Sequence, residues 1–392
     1  MYDKIFGLQR NVFFLGVTSF FNDLSVEMVQ SVMPAFFISV LKSGAGALGL
    51  VEGIADAAAN LIKIYSGRLS DKLEKRKIFA ILGYSISVAT RPFYVFVGSV
   101  AGVVGLRLTD RVGKGLRESP RDALISLSAP PEEVGWSFGY HKTMDTTGAI
   151  LGPLFAYLIL LNYPDAFNAV FLTAFFVGIL ALMSIVFVKD VAQTIHANGF
   201  SPLRTFPRSF RYFVLAVFVL SMGTMPVAIL LFKTQSIGLA VASIPLFYMI
   251  YSTAFAGFSW PGGRASDQFG SGRIIFLGYV FLILGYSVVN ASSNALALGA
   301  GFVALGIFSA LTDGVQRSHL ARLITEENRG VAYGFLFAAQ GFGALIAGAV
   351  GGYLWQFHGE SYALFAGMSV VVLGLVLFFW SLTYAPNGNH IV

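Results

Sequence analysis

The sequence predicts an all-α polytopic membrane protein, with twelve transmembrane helices in two pseudo-symmetric six-helix bundles. Three observations carry that prediction. Hydrophobic residues make up 56% of the 392-residue chain and mean hydropathy is +0.73, a surface that water could not keep in solution. Charged residues sit mainly in short turns between apolar stretches, and the basic ones favour alternate turns. Two groups of landmarks recur at offsets of 195 and 196 residues, as duplication of a half-length unit would leave them.

A helix needs roughly 20 apolar residues to cross the hydrocarbon core. By that measure, spans begin near Asn11, Gly46, Ile78, Gly98, Gly135, Phe167, Tyr212, Ala240, Ile274, Ala295, Val331 and Ala363. The start of the chain has no small-residue cleavage site behind a short apolar core, so the first span is expected to be a retained helix and not a signal peptide. Lys4 and Arg10 precede that span, and "GRLSDKLEKRK" separates the second from the third. Residues 117–142, residues 189–211, Arg264 with Arg273, and residues 317–329 occupy every second turn thereafter. The intervening turns hold little charge beyond Lys42, Asp165, Lys233 and Glu360. Basic loops stay cytoplasmic, which puts both termini on the cytoplasmic side of a prokaryotic inner membrane. The same topology explains the net charge of +6 without a nucleic-acid partner. Cysteine is absent, which excludes disulfides and thiolate metal sites.

Residues 189–211 contain Gly199, Pro202 and Pro207 and lack apolar periodicity, the composition of a linker. The expected division is a first bundle over residues 1–190, a cytoplasmic linker over 191–210 and a second bundle over 211–392. "GRLSD" at Gly67 recurs as "GRASD" at Gly263. Gly139 and Gly148 align with Gly334 and Gly343, while Gly152 answers Gly348 because the second copy is one residue longer there.

These landmarks resemble the signatures of the major facilitator superfamily over essentially the whole chain. The turn between the second and third spans matches G-x-L-x-D-[RK]-x-G-[RK]-[RK] at Gly67, Leu69, Asp71, Lys72, Lys75 and Arg76, with Glu74 replacing the second glycine. The second copy keeps Gly263, Asp267 and Gly270 but few basic residues. "RVGKG" resembles the helix 4 signature R-x-x-x-G. "GAILGP", with Gly148, Gly152 and Pro153, resembles the helix 5 signature associated with antiporters. The resemblance implies alternating access of two halves around a midplane site, with the turn motifs latching the cytoplasmic side in one state and releasing it in another. Gly67 is expected to allow a tight exit from the second helix, and Asp71 to accept bonds from a neighbouring helix N-terminus.

An ionisable group at bilayer depth costs roughly 2.5–3.5 kcal/mol, so each such residue is a functional candidate. The first span carries Asp23 and Glu27 on one face near mid-depth. The second carries Glu52, Asp56, Asn60 and Lys63 along one stripe. The fourth brings Arg107 to about mid-depth, followed by Asp110, Arg111 and Lys114, and is expected to end at Ser119 and Pro120, with residues 117–122 as its cytoplasmic exit. The fifth adds His141, Lys142 and Asp145. The competing reading is structural: charge pairs help helices pack, and Glu52 and Lys63 lie where side chains snorkel. The second half offers mainly Ser, Thr and Tyr with Trp260, Asn290 and Gln340, its first span has no charge before the outer end, and His196, His319, His358 and His390 fall outside the spans.

Together these features point to a secondary transporter that exports a small organic, amphipathic or zwitterionic solute in exchange for protons. Proton coupling needs a carboxylate able to titrate near neutrality and a nearby charge that competes for its ionised form. Asp23, Glu27, Asp56 and Asp145 are candidates for the first role, and Arg107 or Arg111 for the second. Uptake by proton symport or uniport, with an organic anion held by Arg107, is the alternative within transport. A divalent-metal exporter would use Asp23, Glu27 and His141. A membrane-embedded enzyme or transporter-like sensor would need machinery for which the short loops leave no room, and there is no nucleophile elbow, phosphate loop or zinc motif. No cofactor or resident metal is expected. The expected partners are the solute, protons and membrane lipid, with the chain acting as a monomer.

Overall fold

The computed structural model describes residues 4–73, 75–191, 203–324 and 329–383. An antiparallel hairpin, β1 (Lys4–Ile5) and β2 (Leu8–Gln9), opens the chain. Six long helices follow: α1 (Arg10–Ser39), α2 (Ala45–Leu73), α3 (Arg76–Thr90, continued as a 3-10 turn to Phe96), α4 (Val100–Ser128), α5 (Val134–Asn162) and α6 (Phe167–Val186). Next come α7 (Arg208–Gly223) with the short α8 (Val227–Leu230) and α9 (Lys233–Ser236), then α10 (Ile244–Phe269), α11 (Ser271–Ala291), α12 (Ala295–Leu323), α13 (Arg329–His358) and α14 (Glu360–Thr383).

Eleven of these stretches are long and apolar enough to cross a membrane. Helix α4 is the twelfth by length: its 29 residues extend roughly 43 Å at 1.5 Å per residue, and its charge alone sets it apart. The repeat seen in the sequence extends to the helix caps. Ser99 caps α4 by accepting from the Gly102 amide at 3.2 Å, and Asn294 caps α12 by accepting from Ala297 at 2.9 Å, an offset of 195 once more.

Three helix boundaries differ from the sequence reading. Helix α2 does not exit at Gly67 but continues to Leu73, because one glycine costs a helix only about 1 kcal/mol relative to alanine. Helix α4 does not end at Ser119 and Pro120; it runs through the proline to Ser128, so residues 117–122 are helical and not an exit. Membrane helices tolerate an interior proline because neighbouring helices and side chains re-satisfy the freed backbone groups. The seventh span, read from the sequence as one helix, breaks between Gly223 and Val227. The Tyr286 hydroxyl of α11 fills the break, accepting from the Met225 amide at 2.7 Å and donating to the Gly223 carbonyl at 3.2 Å.

Backbone packing divides the chain into two compact units. In the first (Met1–Lys42, Ala58–Ala197 and Ala242–Met249), α1 lies along α5 and α6, and α3 lies along α4. In the second (Ser43–Ala57, Asn198–Val241 and Ile250–Val392), α7 packs on α13 and α14, and α11 packs on α12. The first turns of α2 belong to this second unit, where Gly49 lies against Gly348 of α13, backbone to backbone. The linker expected over residues 191–210 falls partly outside the described residues, which resume at Leu203.

Candidate functional site

The site in the first unit is built on a close crossing of α1 and α5. A Cβ at Gly152 would lie 2.5 Å from the Leu24 carbonyl oxygen and 2.9 Å from Glu27 Cβ, and Gly148 is pressed against the Phe20 carbonyl and the Leu24 amide. Only residues without a side chain let two helices approach this closely. Pro153 continues α5 without ending it. The second copy repeats half of this arrangement: a Cβ at Gly343 would lie 2.9 Å from the Phe218 carbonyl oxygen of α7. Gly348, aligned with Gly152, instead meets Gly49 of α2. One extra residue turns the rest of a helix by about 100°, which moves that glycine off the α7 face.

The tight crossing brings Asp23 of α1 and Asp145 of α5 within hydrogen-bond reach of each other. Ser19 donates to Asp145 Oδ1 at 3.0 Å, and Lys142 Nζ pairs with Asp145 Oδ2 at 3.0 Å. On the other side, Asn22 donates to Asp23 Oδ1 at 2.9 Å, and buried Arg91, in the 3-10 turn after α3, donates to Asn22 Oδ1 at 3.3 Å. A polar line therefore runs Arg91–Asn22–Asp23–Asp145–Lys142 through three segments. Two ionised carboxylates are acceptors only, so a hydrogen bond between them requires one proton. His141 is buried near Asp145 with its Nε2 unpaired.

Helix α4 supplies the cations. Arg107, Asp110, Arg111 and Arg117 are all buried. Asp110 sits among Arg111, Arg107, Arg117 and Arg91, which accounts for so much charge in one membrane helix. Arg111 donates to Gln30 of α1 at 3.0 Å. Arg117 donates to Ser87 at 2.7 Å and lies 4.9 Å over the Tyr84 ring, while Ser87 donates to the Asp110 carbonyl at 3.1 Å. Glu27 lies near Lys114, Arg111 and Arg107 and accepts from Tyr248, and its Oε2 is buried without a donor. Lys63 of α2 pairs with Glu118 at 2.5 Å, and Ser66 donates to the Gly115 carbonyl at 2.7 Å, which fastens the second half of α2 to α4.

Asp23, Glu27, Arg107, Asp110, Arg111, Lys114, His141, Lys142 and Asp145 thus share the first unit, whereas Glu52 and Asp56 fall in the second. Of the motif between the second and third spans, Asp71 and Lys72 occupy the last turn of α2, and their side chains lie outside the described residues. Arg76 is buried and donates to the Val191 carbonyl at 3.1 Å. In the second copy, Gly263 is helical and Asp267 accepts from Arg322 of α12 at 2.7 Å. His319, read from the sequence as lying outside the spans, sits near the far end of the 29-residue α12, where its Nδ1 meets the Ser271 hydroxyl at 2.7 Å. Sequence reasoning missed Arg91, Asn22 and Arg117. A lone charge in "SVATRPFYVF" is the same signal that singled out Arg107, and Arg117 was hidden by ending α4 too early. Among the described residues, no three His, Asp or Glu side chains are grouped as a metal site would need.

The sequence profile of the Major Facilitator Superfamily matches residues 15–220 and 211–390. An uncharacterized MFS-type transporter of Methanocaldococcus jannaschii is 32% identical over 384 residues, covering 95% of each chain. A multi-drug resistance efflux pump PmrA homolog of Lactococcus lactis is 26% identical over 378 residues, covering 90% of each chain. The crystal structure of the human organic anion transporter MFSD10 (TETRAN) shares the fold, with a TM-score of 0.70 at 15% identity over 94% of this chain and 99% of that one.

Proposed function

The chain belongs to the major facilitator superfamily of multi-pass membrane transporters of small-molecule solutes, and we propose that it exports an organic solute in exchange for protons by alternating access of two six-helix halves. The observation that carries this reading is the Asp23–Asp145 pair, held across the α1–α5 crossing. Protonated, the pair is bonded; on losing its proton it becomes two like charges, each with its own donors waiting, Asn22 for Asp23 and Ser19 with Lys142 for Asp145. A proton step thereby changes the force between two helices. Glu27, Arg107 and Arg111 offer opposite charges to a zwitterionic or amphipathic solute. Efflux is supported by the Lactococcus lactis relative, whose name describes a multi-drug efflux pump. Both termini are cytoplasmic in this reading, and the chain works as a monomer in lipid.

The test is proteoliposomes loaded with a pH-sensitive dye and challenged with a panel of organic solutes. A transported solute should drive counter-movement of protons, and Asp23→Asn or Asp145→Asn should abolish proton movement while solute-induced thermal stabilisation persists. Solute flux indifferent to an imposed pH gradient would end the coupling claim. Proton symport of an organic anion is the second reading, favoured by three arginines buried on one helix, Arg107, Arg111 and Arg117. Co-directional movement of solute and proton in the same assay would select it.

A further inference from the structure

The β1–β2 hairpin plays no part in the transport reading, and its turn is unusual. Phe6 and Gly7 have φ of 49° and 83°, the paired left-handed conformations of a two-residue type I′ turn. Asn, Asp or Gly normally occupies the first position, whereas a bulky aromatic residue there is strained. Yet the Phe6 side chain gains almost no shelter from the protein: the residue is 92% exposed. The hairpin beneath it is firmly seated. Leu8 and Gln9 are buried, and Lys4 and Gln9 donate to Glu133 at 2.6 and 3.4 Å. Its second strand runs directly into α1, so the turn sits at the end of a membrane-crossing helix. Phe6 also heads an aromatic run, with ring centroids 6.0 Å apart for Phe6–Phe13, 5.4 Å for Phe13–Phe14 and 5.0 Å for Phe14–Phe187. Phe187, at the end of α6, and Trp136, in the first turn of α5, are exposed at the helix ends, where aromatic side chains occupy the headgroup level.

We infer that the hairpin is a membrane-interface anchor whose partner is the lipid surface: Phe6 inserts between the headgroups of the leaflet at the start of α1. Burial of the ring in the apolar part of the headgroup layer offsets a backbone strain for which its one ring contact, with Phe13, provides little shelter. Lys4, locked to Glu133, holds the insertion point rigidly against α5.

The chain contains no cysteine, so Phe6→Cys in the full-length protein can carry a single spin label. The labelled protein is placed in nanodiscs of phosphatidylethanolamine and phosphatidylglycerol, and power saturation compares oxygen, which enters bilayers, with a water-soluble nickel chelate. Glu132→Cys, at an exposed position one residue before Glu133, is the aqueous reference. The expected result is an oxygen-to-nickel accessibility ratio several-fold higher at position 6 than at position 132. A ratio equal to the reference would overturn the anchor. So would a label shielded from both reagents, which would place position 6 against protein and not lipid.

Discussion

Replacing Gly152 by alanine tests whether the α1–α5 crossing sets the coupling geometry. The new methyl would lie 2.5 Å from the Leu24 carbonyl oxygen, 2.9 Å from Glu27 Cβ and 3.0 Å from the Met28 amide nitrogen. Carbon contacts are comfortable only from about 3.5 Å, so the helices must separate by roughly 1 Å. Two of the three obstructing atoms are backbone, which leaves no side-chain rotation as an escape. Overpacking of this kind costs about 1–3 kcal/mol, read as a lower thermal-shift midpoint of the purified protein. The functional effect should be larger than the stability effect. Ser19 and Asp145 are 3.0 Å apart, and an added 1 Å or so takes that bond past the limit for a hydrogen bond. Glu27, whose Cβ is displaced directly, loses its alignment with Tyr248. Proteoliposome flux should therefore keep solute binding but lose much of its dependence on the pH gradient. A variant with an unchanged midpoint and wild-type pH dependence would show that the crossing neither needs glycine nor positions the carboxyl pair.

Tyr286→Phe should destabilise the second unit by about 1–3 kcal/mol, since the Met225 amide at the helix break loses its buried acceptor; a thermal shift with and without the substitution measures it. Lys63→Met and Glu118→Gln should each cost roughly 1–2 kcal/mol, discounted because both side chains keep about a fifth of their exposure, and a double-mutant cycle should return a coupling term between them. Asp267→Asn breaks the exposed pair with Arg322, so stability should change by less than about 1 kcal/mol while turnover falls if the repeated turn motif acts as a latch. The hydrogen bond from Lys4 holds the Glu133 carboxyl below its ordinary value. A depressed folded value means that the hairpin contact is fully present above about pH 4.3, the ordinary glutamate value, and is lost as pH falls through the lower folded one. Label mobility at position 6 should stay constant from neutral pH to that point and rise only below it.

The fold was legible because bilayer physics acts on local sequence. Spans at Gly46, Phe167 and Ala295 were found by length and hydropathy, and the structure begins α2, α6 and α12 at Ala45, Phe167 and Ala295. Glycines at an offset of 195 revealed duplication before any packing was known. Breaks were harder. Pro120 and Gly67 carry ordinary stop signals, yet the helices pass through them, while Gly223 and Pro226 carry the same kind of signal and there the helix does stop. Whether a helix survives such a residue depends on what packs beside it, as Tyr286 does for the break at Gly223, and that information is 61 residues away.

Depth alone nominated Asp23, Glu27, Arg107 and Asp145, because a charge in hydrocarbon is costly wherever its partner lies. The sequence by itself determined that the chain crosses a membrane, that it is built twice from one unit, and that its ionisable residues crowd into the first half. Only the tertiary structure decided which of them meet. Asp23 and Asp145 are 122 residues apart in the chain, and they touch because Gly148 and Gly152 let two backbones approach. Hydropathy and periodicity are properties of a single helix, whereas a shared proton or a paired arginine is a property of two helices at a given rotation and distance.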